Sequence, residues 1–287
     1  GYMRIMKQRN MFSRKVENIA IFKKTMKMIE SDNMLKEAIN DSIINSFILE
    51  GPEEEGKTGP HETKVSVTKN GSFEEAYKLR KKFPQKKITV LNFASAKHAG
   101  GMVQFGSSAQ EEALCRVSTL FPVLNNAKFK KHYEKGKKSG YIYSDELIYS
   151  PNIKILLSLD DKECLQRKDI WSVDVITSAF PNIRQFSEKD RENMIEELKP
   201  MYSRRIQTVF SAAAKTDTDI LVLGAWGCGV FKNNPKIVAK AFLSVQERYK
   251  GVFEQIVYPV FCRDIESENY VWFNKILGRG DENVYLF

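Results

Sequence analysis

Residues 90–122 read V-L-N-F-A-S-A-K-H-A-G-G-M-V-Q-F-G-S-S-A-Q-E-E-A-L-C-R-V-S-T-L-F-P, and the rest of the chain is organised around them. Ile88–Ala94 is a short, apolar, β-branched run of strand length. Gly100, Gly101 and Gly106 mark a loop whose backbone can approach a neighbour closely. Ser108 followed by Glu111 has the spacing of a capping box, in which the hydroxyl accepts a first-turn N–H and the glutamate reaches back. Beyond it Leu114, Val117, Leu120 and Phe121 share one helical face. The expectation is a buried strand, a glycine loop and a helix that opens with Glu111 and Glu112. Two acidic side chains in a first turn also serve the helix itself, because they complement its dipole.

Outward from this unit the pattern alternates. On its N-terminal side, residues from about Ser13 to Asn33 read as an amphipathic helix and Met34–Leu49 as a weaker one. Gly51–Thr63 is a turn-rich, charged connector and Val65–Val67 a short strand, and Ser72 is placed to cap a helix over Phe73–Phe83 that stops before Pro84. On the C-terminal side, Lys128–Tyr143 is expected as a basic surface loop, Ile153–Leu159 and Val173–Phe180 as strands, and Glu188–Ala214 as a helix broken at Pro200. Ile220–Leu223 is a strand that runs into G-A-W-G-C-G-V-F-K-N-N-P at 224–235. Asn234 as N-cap and Pro235 at the first helical position start the next helix, Gln255–Phe261 is the last strand and Asn269–Leu277 the last helix. Such alternation predicts an α/β fold whose mostly parallel sheet is covered on both faces. Ligands bind such sheets beyond the carboxyl ends of the strands, so the two glycine loops are expected to converge on one cleft.

Composition narrows the function classes. A chain of 287 residues with 42% hydrophobic content can bury one sizeable core. No run of 18 apolar residues exists, which excludes a helical membrane span, and the first ten residues lack an apolar signal core. Gly1 ahead of Met3 reads as an appended residue. The cysteines Cys115, Cys164, Cys228 and Cys262 are widely spaced with no C-x-x-C, which points to reduced thiols in the cytoplasm rather than a zinc site. The three histidines are not paired at ligand spacing, so no metal and no cofactor is expected. Net charge is +9, concentrated in Lys81–Lys87 and Lys128–Lys138. Such a field favours a polyanionic partner, although a lysine-rich solvated surface has the same composition.

The second informative stretch is Gly224–Asn234. Three glycines in six residues between a strand and a helix arrange successive N–H groups around a concavity suited to phosphate. No G-K-S or G-K-T follows, so this is not a P-loop, and alone it reads equally as a tight turn.

The full strings carry more. N-F-A-S-A-K-H-A-G-G-M at 92–102, then seven residues, then Q-E-E at 110–112, resembles the signature of the poly(ADP-ribose) glycohydrolases of the smaller, bacterial-type branch. L-V-L-G-A-W-G-C-G-V-F-K-N-N-P at 221–235, I-T-S-A-F-P-N at 176–182 and Y-S-P-N-I at 149–153 are similar to the same family, in its order. The resemblance implies a macrodomain-like three-layer α/β/α sandwich with a mixed central sheet. Residues 1–62 would be an N-terminal helical extension packed on a catalytic core of 63–287, one globular unit overall. It implies an ADP-ribosyl glycohydrolase that cleaves O-glycosidic ribose linkages of poly- or mono-ADP-ribose on modified proteins or modified nucleic acid, acting as a monomer without a membrane. Position by position, Gly227, Cys228, Gly229 and Val230 would hold a diphosphate through backbone N–H groups, and Phe231 would pack on the distal ribose. Asn92 and the Ala99–Met102 loop, with Gly100, Gly101 and Met102, would line the other side, next to Gln110. Glu111 would hydrogen-bond substrate hydroxyls, and Glu112 would do the chemistry.

The chemistry stands on its own grounds. Cleavage at a ribose passes through an oxocarbenium-like state and needs a proton on the leaving oxygen. One carboxylic acid can give that proton and then take one from the attacking water. This asks for a Glu112 carboxyl raised by burial and by Glu111 beside it, against the opposite pull of a helix N-terminus. The family's Pro-Gly-Gly-Gly is Ala99-Gly100-Gly101-Met102 here. If the third glycine needs a positive φ or touches ligand, Met102 shifts the loop and turns substrate choice toward mono-ADP-ribose. Cys228 as a nucleophile lacks a neighbouring base. Two other classes stay open: a reader that binds ADP-ribose without turnover, and a nucleic-acid-binding protein with steep salt dependence that needs neither glutamate.

Overall fold

The computed structural model describes residues 1–278. Seven strands of the described residues form one sheet: β1 (Phe47–Leu49), β2 (Lys64–Thr68), β3 (Ile88–Phe93), β4 (Leu147–Ile155), β5 (Trp171–Ser178), β6 (Ile220–Val222) and β7 (Gln255–Pro259). Their order is β1-β4-β5-β3-β6-β7-β2. From β5 to β2 all neighbours are parallel, whereas β4 is antiparallel to both β5 and β1, so the sheet is mixed.

Three helices on one face are α8 (Ile195–Lys215), α9 (Pro235–Arg248) and α10 (Glu268–Leu277). The other face carries α1 (Tyr2–Glu30), α2 (Asn33–Asn45), α3 (Ser72–Lys82), α4 (Gln110–Arg116), α5 (Leu120–Leu124) and α6 (Lys130–Lys138). The short α7 (Glu188–Asn193) leads into α8. β3 sits at the centre and reads as an unbroken apolar run because both its faces are covered: Val90 points into the layer of α1–α6 and Leu91 into that of α8–α10. The N-terminal helices join the core through Phe22, Ile29, Leu35 and Ile39, with the rings of Phe22 and Phe121 edge-on at 5.3 Å. None of the described helices is long and apolar enough to cross a membrane.

Several element boundaries differ from the sequence reading. α1 begins at Tyr2 rather than Ser13. α2 stops at Asn45, and Phe47–Leu49 leaves the helical pattern to pair with β4, where Phe47 stacks on Tyr149 at 5.2 Å. α4 ends at Arg116, before the expected Val117–Phe121, because the chain there bonds to the end of β4: Leu156 N–H donates to Val117 O at 2.8 Å and Thr119 N–H to Lys154 O at 2.9 Å. β4 starts at Leu147 and takes in Y-S-P-N through a bulge between Ser150 and Ile153, since Pro151 has no N–H for the ladder. The long helix breaks at Met194, while Pro200 lies inside α8 near its start, where it removes one hydrogen bond without ending it. The expected basic loop at 128–143 is instead largely the helix α6. Tyr133 buries on its inner side, and Gly136 meets the backbone of Ala96 so closely that a Cβ would overlap that carbonyl oxygen.

Candidate active site

β3 and β6 are parallel neighbours, paired at Val90 and Val222, so the loops that follow them leave the sheet side by side. Gly224 holds them close: its φ is 144°, and a Cβ would stand 2.8 Å from both Phe93 Cζ and Pro259 O. A cavity of about 560 Å³ lies against this junction, with Gly227, Gly229, Val230 and Phe231 on one wall and Phe93 and Gln110 on another.

The loop after β6 is organised by Asn233, a residue the sequence reading passed over. Its buried Nδ2 donates to Pro181 O at 2.7 Å and to Gly227 O at 2.9 Å, and its Oδ1 accepts from the Tyr202 hydroxyl. Gly227 has φ +72°, and a Cβ there would stand 2.5 Å from Phe180 Cδ2, whereas Gly229 faces open space. Among the described residues the N–H groups of Gly227, Gly229, Val230 and Phe231 donate to no protein acceptor. The N–H of Cys228 is different, because it donates to Ala225 O at 3.2 Å. Three of the four expected donors are therefore open, Phe231 adds another, and Cys228 is spent on the turn. Burial pushes the Cys228 thiol well above its ordinary pKa, which leaves it no role as a nucleophile.

Glu111 and Glu112 are both buried, at 2% and 8% exposure. The Glu111 carboxyl is clamped from two sides: Asn92 Nδ2 donates to Oε2 at 2.9 Å, and Ser95 N–H donates to Oε1 at 2.8 Å. Thr177 steadies the Asn92 amide at 3.2 Å, and Asn92 Oδ1 is buried without a partner. Burial raises the Glu111 carboxyl to about 8, against the lowering effect of those two donors, and the charge of Glu112 adds to the rise. The raised carboxyl that the geometry displays is thus that of Glu111. Nothing among the described residues hydrogen-bonds the carboxylate of Glu112. Both carboxyls rest on Gly101 (φ +61°), where a Cβ would stand 3.1 Å from Glu111 Oε1 and 3.1 Å from Glu112 Cδ.

The capping box does not form. Ala109 is the N-cap of α4 and provides no side-chain cap, Ser108 accepts from Asn18 at 3.1 Å, and Glu111 turns inward to Asn92. Gln110, expected in the substrate site, spends its amide on the fold: it accepts from Phe93 N–H at 2.8 Å and donates to Leu91 O at 2.7 Å and Ser72 Oγ at 3.1 Å. It lines the cavity as a brace between β3 and α4. Gly100 (φ +70°) packs on Phe121 rather than on the cavity. Met102 has φ −110°, so its position does not call for glycine, and its 45% exposed side chain faces a second cavity of about 610 Å³ beyond Gly101. The two glycine loops meet at the sheet, but Gly101 and Met102 look the other way from the cavity of the β6 loop. Ser95 and Thr177 could not be found from sequence, because a backbone N–H and one hydroxyl in a strand leave no motif. Asn233 sits in the quoted N-N-P, where the capping role of Asn234 drew the eye.

Known proteins add the lineage. No curated protein matches the chain. Among solved structures, the poly(ADP-ribose) glycohydrolase of Thermomonospora curvata is similar with a TM-score of 0.80 at 26% identity, over 91% of this chain and 99% of that one. Its complex with the inhibitor ADP-HPD gives 0.77 at 27% identity, over 90% and 98%. The poly(ADP-ribose) glycohydrolase of Deinococcus radiodurans in complex with ADP-ribose gives 0.72 at 31% identity, over 82% and 95%. The family profile described as microbial-type PARG, catalytic domain, matches residues 2–158, more than half of the chain. The chain belongs to the microbial-type poly(ADP-ribose) glycohydrolase family.

Proposed function

We propose that this chain is an ADP-ribosyl glycohydrolase that hydrolyses the O-glycosidic ribose linkages of poly(ADP-ribose) and releases ADP-ribose. The observation that carries the reading is the buried pair of carboxyls on Gly101, one clamped and one without a hydrogen-bond partner among the described residues. The open N–H groups of Gly227, Gly229, Val230 and Phe231 suit the diphosphate, since oriented backbone donors bind anions without a cation. Glu111 keeps a proton at neutral pH and is fixed by Asn92 and Ser95, which fits a group that orients substrate hydroxyls. Glu112 is free to meet the reacting oxygen. It delivers a proton to the departing oxygen as the ribosyl C–O bond breaks. Water then adds to the oxocarbenium carbon and its proton returns to Glu112.

A reader that binds without turnover needs the β6 loop but gains nothing from two buried carboxyls, which cost desolvation. A monomer suffices, because both loops and both glutamates come from one chain. The four cysteines are free thiols, which suits the reducing cytoplasm as the site of action.

The test is Glu112→Gln, which keeps size and loses the proton. Turnover per folded molecule on polymer should fall by about 10²–10⁴, while calorimetry shows ADP-ribose affinity unchanged or improved. A variant that binds and turns over like the parent removes the mechanism.

A further inference from the structure

The second cavity, about 610 Å³, is not used by the chemistry above. One wall is the turn after β3, with Lys97, Gly101 and Met102, and the facing wall is α6, with Lys130, Glu134 and Lys137. Phe105 completes the lining and stands 62% exposed. Gly136 lets α6 lean on the turn at Ala96, so both walls are held by backbone contact. Neither hydrogen bonds nor ion pairs within the described residues engage the ammonium groups of Lys97, Lys130 and Lys137. Glu134 is the single carboxylate of the lining, so the cavity keeps an excess of positive charge.

Gly101 ties this cavity to the chemistry, because it lines the cavity and also supports both catalytic carboxyls. The β6 loop, with its open N–H groups, borders the other cavity. A scissile bond at Glu112 therefore has one chamber on each side. Resting on the glycohydrolase reading, we infer that the second cavity receives the departing side of the bond, and that its occupant is the adenosine diphosphate portion of the next unit of an ADP-ribose polymer. Three unpaired ammonium groups meet the diphosphate, which multiplies local substrate concentration. Phe105 offers an exposed aromatic face on which adenine stacks, with the flexible Met102 beside it. The volume is that of a site for one small ligand. The departing hydroxyl oxygen leaves with the proton from Glu112, so the unit in this cavity is released as a neutral alcohol end of the shortened chain.

The test uses a two-unit ADP-ribose oligomer and ADP-ribose itself, titrated by calorimetry into full-length Glu112→Gln. The oligomer should bind roughly tenfold tighter. Adding Lys97→Gln, Lys130→Gln and Lys137→Gln, all exposed side chains, should remove that advantage and leave ADP-ribose affinity intact. Phe105→Ala should remove roughly fivefold of it. In the active enzyme the same triple substitution should raise KM on polymer and leave release from an ADP-ribosylated serine peptide unchanged. Equal affinity for oligomer and monomer in Glu112→Gln, or equal loss of both in the triple variant, overturns the assignment. So does a larger lysine-dependent gain for an ADP-ribosylated, phosphate-terminated oligonucleotide, which would make the occupant a nucleic-acid end. An enzyme that turns over neither substrate sinks the glycohydrolase reading, while the binding comparison still decides the cavity.

Discussion

Replacing Glu111 by Gln removes a carboxyl that burial holds at about 8, against an ordinary value of 4.5. Below about pH 4.5 both folded and unfolded chains carry its proton, and the group adds no pH dependence. Between 4.5 and 8 the unfolded chain has lost the proton and the folded chain keeps it. Stability therefore falls as pH rises, by about 1.4 kcal/mol per pH unit. Above 8 the fall is complete, and a dry carboxylate would have cost on the order of 5 kcal/mol. Water that enters a local opening lowers this figure, so it is an upper bound. The amide of Glu111→Gln carries no such penalty, but one of its ends turns N–H groups toward Asn92 Nδ2 or Ser95 N–H, at a cost of about 1–2 kcal/mol. The two stability curves should cross: the parent is more stable near pH 5 and the variant more stable near pH 9. Urea denaturation of both proteins at fixed ionic strength across that range measures the difference. A constant offset from pH 5 to 9 would refute the claim that Glu111 holds its proton in the folded state.

The loop after β6 gives two opposed expectations. Gly229→Val, into open space, should leave melting nearly unchanged yet abolish the rise in Tm that ADP-ribose produces by binding the native state. Gly227→Ala should instead cost roughly 1–3 kcal/mol, because φ is +72° and Phe180 blocks the Cβ. Asn233→Ala strips donors from Gly227 O and Pro181 O, and should lose about 1–3 kcal/mol in denaturant unfolding together with part of the ADP-ribose affinity. Gly136→Ala forces α6 off the Ala96 backbone. Hydrogen exchange should report it as faster opening confined to α6 and the 94–102 turn, with polymer turnover falling alongside.

The strand β3 and the start of α9 were legible because their causes are local. An apolar β-branched run needs only its own side chains to declare a buried strand, and Asn234–Pro235 caps through the next two N–H groups, at 3.0 and 3.4 Å. α6 was not legible: lysines and glycine in sequence read as a loop, and the helix depends on Tyr133 finding the core and Gly136 finding Ala96. The early end of α4 has the same kind of cause, a bond to β4 nearly forty residues on. At the site, sequence alone determined which residues were present: Asn92, the glycines, Glu111, Glu112 and Phe231. Tertiary structure decided their division of labour. Glu111 leaves the helix cap for Asn92 and Ser95, Gln110 becomes a brace, Cys228 closes a turn, and Met102 opens onto a second chamber. The reason is physical: a side chain's type is written in the chain, but its desolvation and its donors belong to whatever the fold packs around it. A carboxyl raised to about 8 by burial is a property of that surrounding, and no spacing along the sequence contains it.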